Sequence, residues 1–217
     1  YELNPLYLLS WLAMLVALVL TVVSMLDYLV KARGLLGFGS DAAQPAPSAP
    51  DLEAQLARAA ERLLAQATED GLTLGTAESL TGGLACEALT AIPGSSAVVR
   101  GGVVSYAIGV KRAVLGVDGA LLDQVGAVDG QVAAQMAEGA RRQLGADVAV
   151  STTGIAGPTG AEPGKPVGTV WVGCSSARGA RAAEHVFEGD REQVRLQAAL
   201  AALGMGLEEA RALGGRR

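Results

Sequence analysis

Histidine is nearly missing from this chain, and cysteine, aromatic side chains and clustered positive charge are scarce. The one histidine, His185, and two cysteines far apart, Cys86 and Cys174, offer neither metal-ligand spacing nor a disulfide framework. The cysteines read as small buried residues of a reducing compartment. A formal charge of −5 with no basic run sets nucleic acid aside as a partner. His185 falls in the alternating run His185-Val186-Phe187, where a half-exposed structural imidazole is expected before a triad member.

Charge is also missing from Leu6 to Leu26. That stretch is long enough to cross a hydrocarbon core of about 30 Å at about 1.5 Å per residue. Glu2 precedes it, Lys31 and Arg33 follow it, and Tyr7, Trp11 and Tyr28 sit near its ends. The expectation is a transmembrane helix in residues 1–33, meeting the membrane through residues 6–30, with the rest of the chain on the cytoplasmic side. A signal peptide is the competing reading, but the basic residues lie after the apolar run and no A-x-A pattern follows. Residues 34–50, with Pro45, Pro47 and Pro50, read as a flexible linker. Residues 51–217 then form a domain of about 165 residues, a normal size for one core.

Within that domain, Asp51 to Glu69 has Leu52, Leu56, Ala59 and Leu63 at helical spacing, with Gly71 as a stop. A short strand run, Leu72 to Leu74, leads to a turn and a helical pattern from Leu80 to Ile92, with Ser79 at the N-cap. Val98 to Tyr106, Asp147 to Thr152, Gly168 to Cys174 and Arg181 to Phe187 read as strands. Val110 to Leu115 runs into a turn at Gly116-Val117-Asp118-Gly119. Asp129 caps a helix from Gly130 to Leu144, and Asp190 caps the last helix with Gln193 completing a capping box. Alternating strands and helices predict an α/β domain layered on a largely buried sheet, and no internal repeat is visible.

Four places have residues suited to chemistry. Ser79, in Thr76-Ala77-Glu78-Ser79-Leu80-Thr81-Gly82-Gly83, puts a hydroxyl beside the backbone amides of a helix start, where an anion or oxyanion is favoured, although capping alone would also explain a serine there. Lys111 follows Tyr106 by five residues at the end of an apolar strand, where burial would depress an ammonium pKa and make it a base; a core tyrosine and a snorkelling lysine are the plainer account. Ser151 to Gly160 leaves a strand as a hydroxyl-rich, Gly-rich loop, including Thr153, Gly154 and Gly157, that would cradle a phosphate or ribose or simply connect two strands. Arg191 and Arg195, at i and i+4 in the first turns of a helix, oppose its dipole. An anion held between them is one physical reason; a solvated pair with Glu188 and Glu192 is the other.

In their order along Leu52 to Leu207 these stretches resemble the C-terminal domain of the competence-damage-inducible CinA family, whose stand-alone members are nicotinamide-nucleotide amidohydrolases. The resemblance is carried by the Thr76–Gly83 string, Pro93-Gly94-Ser95-Ser96, Tyr106 and Lys111 with Leu115-Gly116-Val117, Thr153-Gly154-Ile155-Ala156-Gly157-Pro158, Lys165 to Val170, and Gly189-Asp190-Arg191 with Val194-Arg195. It implies a three-layer α/β/α domain that hydrolyses the carboxamide of nicotinamide mononucleotide to nicotinate mononucleotide and ammonia, in pyridine nucleotide recycling, with no metal or cofactor. By position, Ser79 is similar to the family's nucleophile, Lys111 to its base and Tyr106 to the assisting hydroxyl. Thr81, Gly82 and Gly83 would supply oxyanion or phosphate amides, and Arg195 the anion-binding arginine. Leu80, the Ala107–Val110 segment and Asp129 depart from the polar residues usual at those places. The molybdopterin-binding-like domain of the family's larger members is not expected in this sequence.

Leu20 to Tyr28 with Lys31 separately resembles the last transmembrane helix of a phosphatidylglycerophosphate synthase, a CDP-alcohol phosphatidyltransferase, without that family's aspartate-rich motif. Two other readings stand beside the amidohydrolase: a non-catalytic nucleotide-binding module tethered to the membrane, and a fusion whose N-terminal helix is a relic. A homo-oligomer is left open.

Overall fold

The computed structural model describes residues 14–15, 17–25 and 47–215. The chain divides into two compact units, Tyr1–Pro45 and Ala46–Arg217. In the first, the described residues are helical and exposed. The remainder of the expected membrane segment lies outside the described residues, as does most of the expected linker. Among the described residues no helix is long and apolar enough to cross a membrane. The expected span therefore gains no support.

The second unit begins on α1 (Ala49–Glu69), two residues before the linker was expected to end. Ser48 caps it, and Pro50 sits in the first turn, where its missing N–H costs no helical bond. Then come β1 (Leu74–Glu78), α2 (Leu84–Thr90), β2 (Val99–Val104), α3 (Ile108–Ala113), α4 (Gly119–Val125), α5 (Gly130–Leu144), β3 (Val148–Gly154), β4 (Thr169–Ser176), β5 (Gly179–Val186) and α6 (Arg191–Gly214). The sheet order is β2-β1-β3-β4-β5. β1 runs parallel to both its neighbours, while β4 and β5 form an antiparallel ribbon on β3.

Side chains of the central strands alternate between two cores. Val148 and Val150 join one with Leu56, Leu63, Leu89 and Leu203, from α1, α2 and α6. Ala149 joins the other with Val132, Met136 and Ala140 of α5, together with Leu115 and Val117. A strand buried on both faces needs this period of two and small or branched residues throughout. Burying a leucine such as Leu63, 1% exposed, contributes about 2 kcal/mol. The result is the expected three layers, α/β/α.

Local signals placed several boundaries correctly. The Asp129 carboxylate accepts from the Gln131 amide at 2.7 Å, and α5 stops at left-handed Gly145. At α6, Asp190 Oδ1 accepts from the Gln193 amide at 2.9 Å and the Asp190 amide donates to Gln193 Oε1 at 2.8 Å, the full capping box. Two expectations change. Ser79 is not an N-cap: β1 extends to Glu78, residues 79–82 form a turn, and α2 starts at Leu84 behind left-handed Gly83. Lys111 is not at a strand end: β2 stops at Val104 and Lys111 lies on α3.

Candidate active site

Because β1 ends at Glu78, Ser79 is the first residue beyond a central strand, at the end where β1 and both parallel neighbours point. Its amide continues the sheet by donating to the Thr152 carbonyl at 3.0 Å. Thr81 Oγ1 and Thr152 Oγ1 are 2.7 Å apart, a second tie between the turn and β3.

Glu78, 1% exposed, is the charged residue that sequence reasoning passed over. Its carboxylate accepts from the amides of Gly83 (2.9 Å), Ala85 (3.1 Å) and Cys86 (2.8 Å) and from the Thr76 hydroxyl (3.1 Å). A strand residue therefore reaches forward to satisfy the start of the next helix, whose own cap residue, Gly83, has no side chain to do so. The signal was present: an acid closing an otherwise uncharged buried strand requires a set of donors.

Lys111 has no exposed surface. Its Nζ donates to Ser79 Oγ at 2.9 Å and to the Ser105 carbonyl. Ser105 is itself fixed, its amide donating to the Glu78 carbonyl at 2.7 Å. Burial drives the Lys111 pKa from its usual range down to about 8, and among the described residues no carboxylate forms a salt bridge with it. Near neutral pH about a tenth of such lysines are uncharged, and the neutral amine can take a proton from the serine it touches.

A cavity of about 200 Å³ opens over this pair, lined by Ser79, Leu80, Tyr106, Lys111, Thr153, Gly154 and Arg191 among others. Tyr106 stands at its mouth, 67% exposed. Thr153 lines the cavity, but its hydroxyl donates to the Ala127 carbonyl at 2.6 Å and so is already engaged. Gly157 is not among the lining residues; its carbonyl accepts from exposed Arg191 at 2.8 Å. The two arginines of α6 do not form a joint anion site. Arg195, half-buried, donates through Nε to the Leu80 carbonyl at 3.0 Å and through Nη2 to the Thr81 carbonyl at 2.9 Å.

The expected amide donors also shift. The Gly83 amide belongs to Glu78, and the Gly82 amide donates to the Ser79 carbonyl at 3.2 Å. The amides of Leu80 and Thr81 donate to no group among the described residues. Asp129 is occupied as the α5 cap. His185 stacks on Phe187 at 5.1 Å, away from the cavity, and burial lowers its pKa. Burial, reinforced by Glu78, raises the Cys86 thiol, and the buried Cys174 thiol is pushed up to about 12, so neither is a ready thiolate. A larger groove of about 470 Å³ between α1 and α2 is lined mainly by leucine and alanine side chains with three glutamates, Glu53, Glu61 and Glu87, and has no serine, cysteine or lysine. No group of metal-ligating side chains occurs among the described residues.

Comparison with known proteins fits this architecture. A CinA-like protein of Salinibacter ruber is 53% identical over 139 residues, covering 64% of this chain and 33% of its own length. One of Anaeromyxobacter dehalogenans is 43% identical over 176 residues, covering 72% and 43%. The chain thus spans about a third of the length of the curated relatives it matches. The crystal structure of the competence/damage inducible protein CihA from Agrobacterium tumefaciens superposes with a TM-score of 0.68 at 41% identity, over 72% of this chain and 96% of that one. A competence-damaged protein (CinA) superfamily protein from Klebsiella pneumoniae gives 0.69 at 33% identity, over 72% and 98%. These matches lend no support to the lipid-synthase resemblance of the N-terminal segment. The CinA C-terminal domain model matches residues 56–209, the stretch that carries the Ser79–Lys111 pair, and the chain belongs to the CinA family through that domain.

Proposed function

We propose that this domain hydrolyses the carboxamide of nicotinamide mononucleotide to nicotinate mononucleotide and ammonia through a Ser79 acyl-enzyme. The reading is carried by one observation: a fully buried lysine with a depressed pKa, donating at 2.9 Å to a serine hydroxyl at the floor of a cavity. Neutral Lys111 accepts the Ser79 proton as Oγ attacks the amide carbon. The oxyanion of the tetrahedral intermediate meets the unengaged amide that follows the nucleophile, that of Leu80, which lines the cavity, whereas Thr81 is fully buried behind it. The C–N bond then breaks, protonated Lys111 gives its proton to the leaving nitrogen, and ammonia departs. Lys111 next deprotonates a water that attacks the acyl ester, releasing the carboxylate and restoring Ser79.

A cavity of about 200 Å³ is smaller than the ~300–1,000 Å³ of sites that enclose a whole drug-sized ligand. It accommodates the carboxamide ring, leaving ribose and phosphate across the mouth, where Tyr106 and Arg191 are exposed. Arg191 is the cation available to the phosphate, and Tyr106 orients the ring or relays a proton. The test is ammonia release from nicotinamide mononucleotide by the full chain beside Ser79→Ala and Lys111→Ala. Release that both substitutions abolish, in variants that remain folded by circular dichroism, supports the reading; release that survives Ser79→Ala sinks it.

A further inference from the structure

Arg195 sits 115 residues along the chain from the turn it touches, and its contacts bear on the two amides that the turn leaves unengaged. In a trans peptide the C=O and N–H of one unit point in opposite directions, so fixing either end fixes the plane. Arg195 Nε holds the Leu80 carbonyl, and thereby the opposed Thr81 N–H. Arg195 Nη2 holds the Thr81 carbonyl, and thereby the Gly82 N–H. That N–H donates to the Ser79 carbonyl, which in turn fixes the opposed Leu80 N–H. One guanidinium therefore sets three consecutive peptide planes. Gly82 suits this turn through its backbone, whose φ of +65° favours glycine, while a Cβ there would only touch Nη2 at 3.4 Å.

We infer that Arg195 is a positioning residue, orienting through the Thr81, Gly82 and Ser79 peptide units the Leu80 amide that stabilises the oxyanion, and is not the arginine that binds the substrate's anionic group. The inference rests on the amidohydrolase reading for its kinetic consequence, but its geometric consequence is independent of it. Lysine keeps the charge and cannot reach two carbonyls with a planar fork, so charge and geometry separate cleanly.

The experiment compares wild type, Arg195→Lys and Arg195→Met. If Arg195 positions the amide, both variants lose about 10²–10³-fold in kcat, the scale of losing an oxyanion donor. Nucleotide affinity, measured in the Ser79→Ala background, stays within about twofold, and lysine gives no rescue. If Arg195 instead binds the anion, affinity falls more than tenfold, kcat is largely kept, and lysine restores part of the loss; that result overturns the inference. Should wild type release no ammonia, the amidohydrolase reading fails while amide NMR still decides this one. Displaced Leu80 and Thr81 cross-peaks with faster hydrogen exchange in Arg195→Lys support positioning. Unmoved cross-peaks refute it even in an active enzyme.

Discussion

Two helix starts in this domain are built on opposite plans. The start of α6 is self-contained: Asp190 and Gln193, three residues apart, satisfy each other's backbone donors. The start of α2, preceded by the Ser79 turn, has no local cap, and its order comes from elsewhere. Glu78 takes its amides from the strand below, Thr152 grips the turn from β3, and Arg195 holds its carbonyls from α6. A locally capped helix positions its own backbone; a turn that must leave donors unengaged for a ligand needs long-range partners for everything else.

The comparison can be broken at graded cost. Replacing Lys111 by methionine is expected to reduce turnover by about 10³-fold, within the range of a lost general base. Wild-type kcat/KM should rise with pH through about 8 as Lys111 loses its proton, a limb that the variant's residual activity lacks. Stability carries the matching sign. A lysine depressed to about 8 in the folded state is neutral while the unfolded chain still binds its proton, so it makes stability rise between about pH 8 and the usual lysine value. The difference in urea midpoint between wild type and Lys111→Met isolates that slope from the opposing one of Cys174, and an unchanged difference across that window would count against a buried neutral lysine.

Removing the Glu78 carboxylate as Glu78→Ala strips acceptors from three amides and a hydroxyl. At about 1 kcal/mol or more for each buried donor, a loss near 4 kcal/mol is expected in urea unfolding. Gly82→Ala forces a side chain into the left-handed region at φ +65° and should cost about 1–2 kcal/mol, with a fall in kcat that exceeds any change in KM. Asp190→Ala, the control at the locally capped start, should lose about 1 kcal/mol by thermal unfolding and keep turnover within about threefold. Equal kinetic damage from Asp190→Ala and Gly82→Ala would erase the distinction between the two helix starts.

The same contrast governs what the amino-acid order made legible. Caps at Asp129 and Asp190, the stripe of leucines on α1 and the buried character of β3 and β4 depend on residues a few positions apart, and those elements were readable. Ser79, Tyr106 and Lys111 were singled out, and they do line one cavity. What failed was whatever depends on distance. Ser79 looked like an N-cap because a small polar residue before a helical pattern is the usual cap, and nothing local announces that Glu78 performs that task from the strand. Lys111 looked like a strand residue because Ile108-Gly109-Val110 is apolar and β-branched, whereas the short α3 turn is held by the lysine's own burial against Ser79 and Ser105. Arg195 looked like an anion site because cations at a helix start oppose the dipole; the partners that offset this are carbonyls 114 and 115 residues away.

That last separation has a consequence in time. At a synthesis rate of about 5–20 residues per second, the 115 residues from Leu80 to Arg195 take roughly 6–23 s to make. Throughout that interval a nascent chain has its serine but lacks the guanidinium that orders the turn. The ordered Ser79 turn thus arrives with the final helix, and a chain cut short before α6 carries Ser79 and Lys111 without the guanidinium that fixes the peptide planes between them and α2.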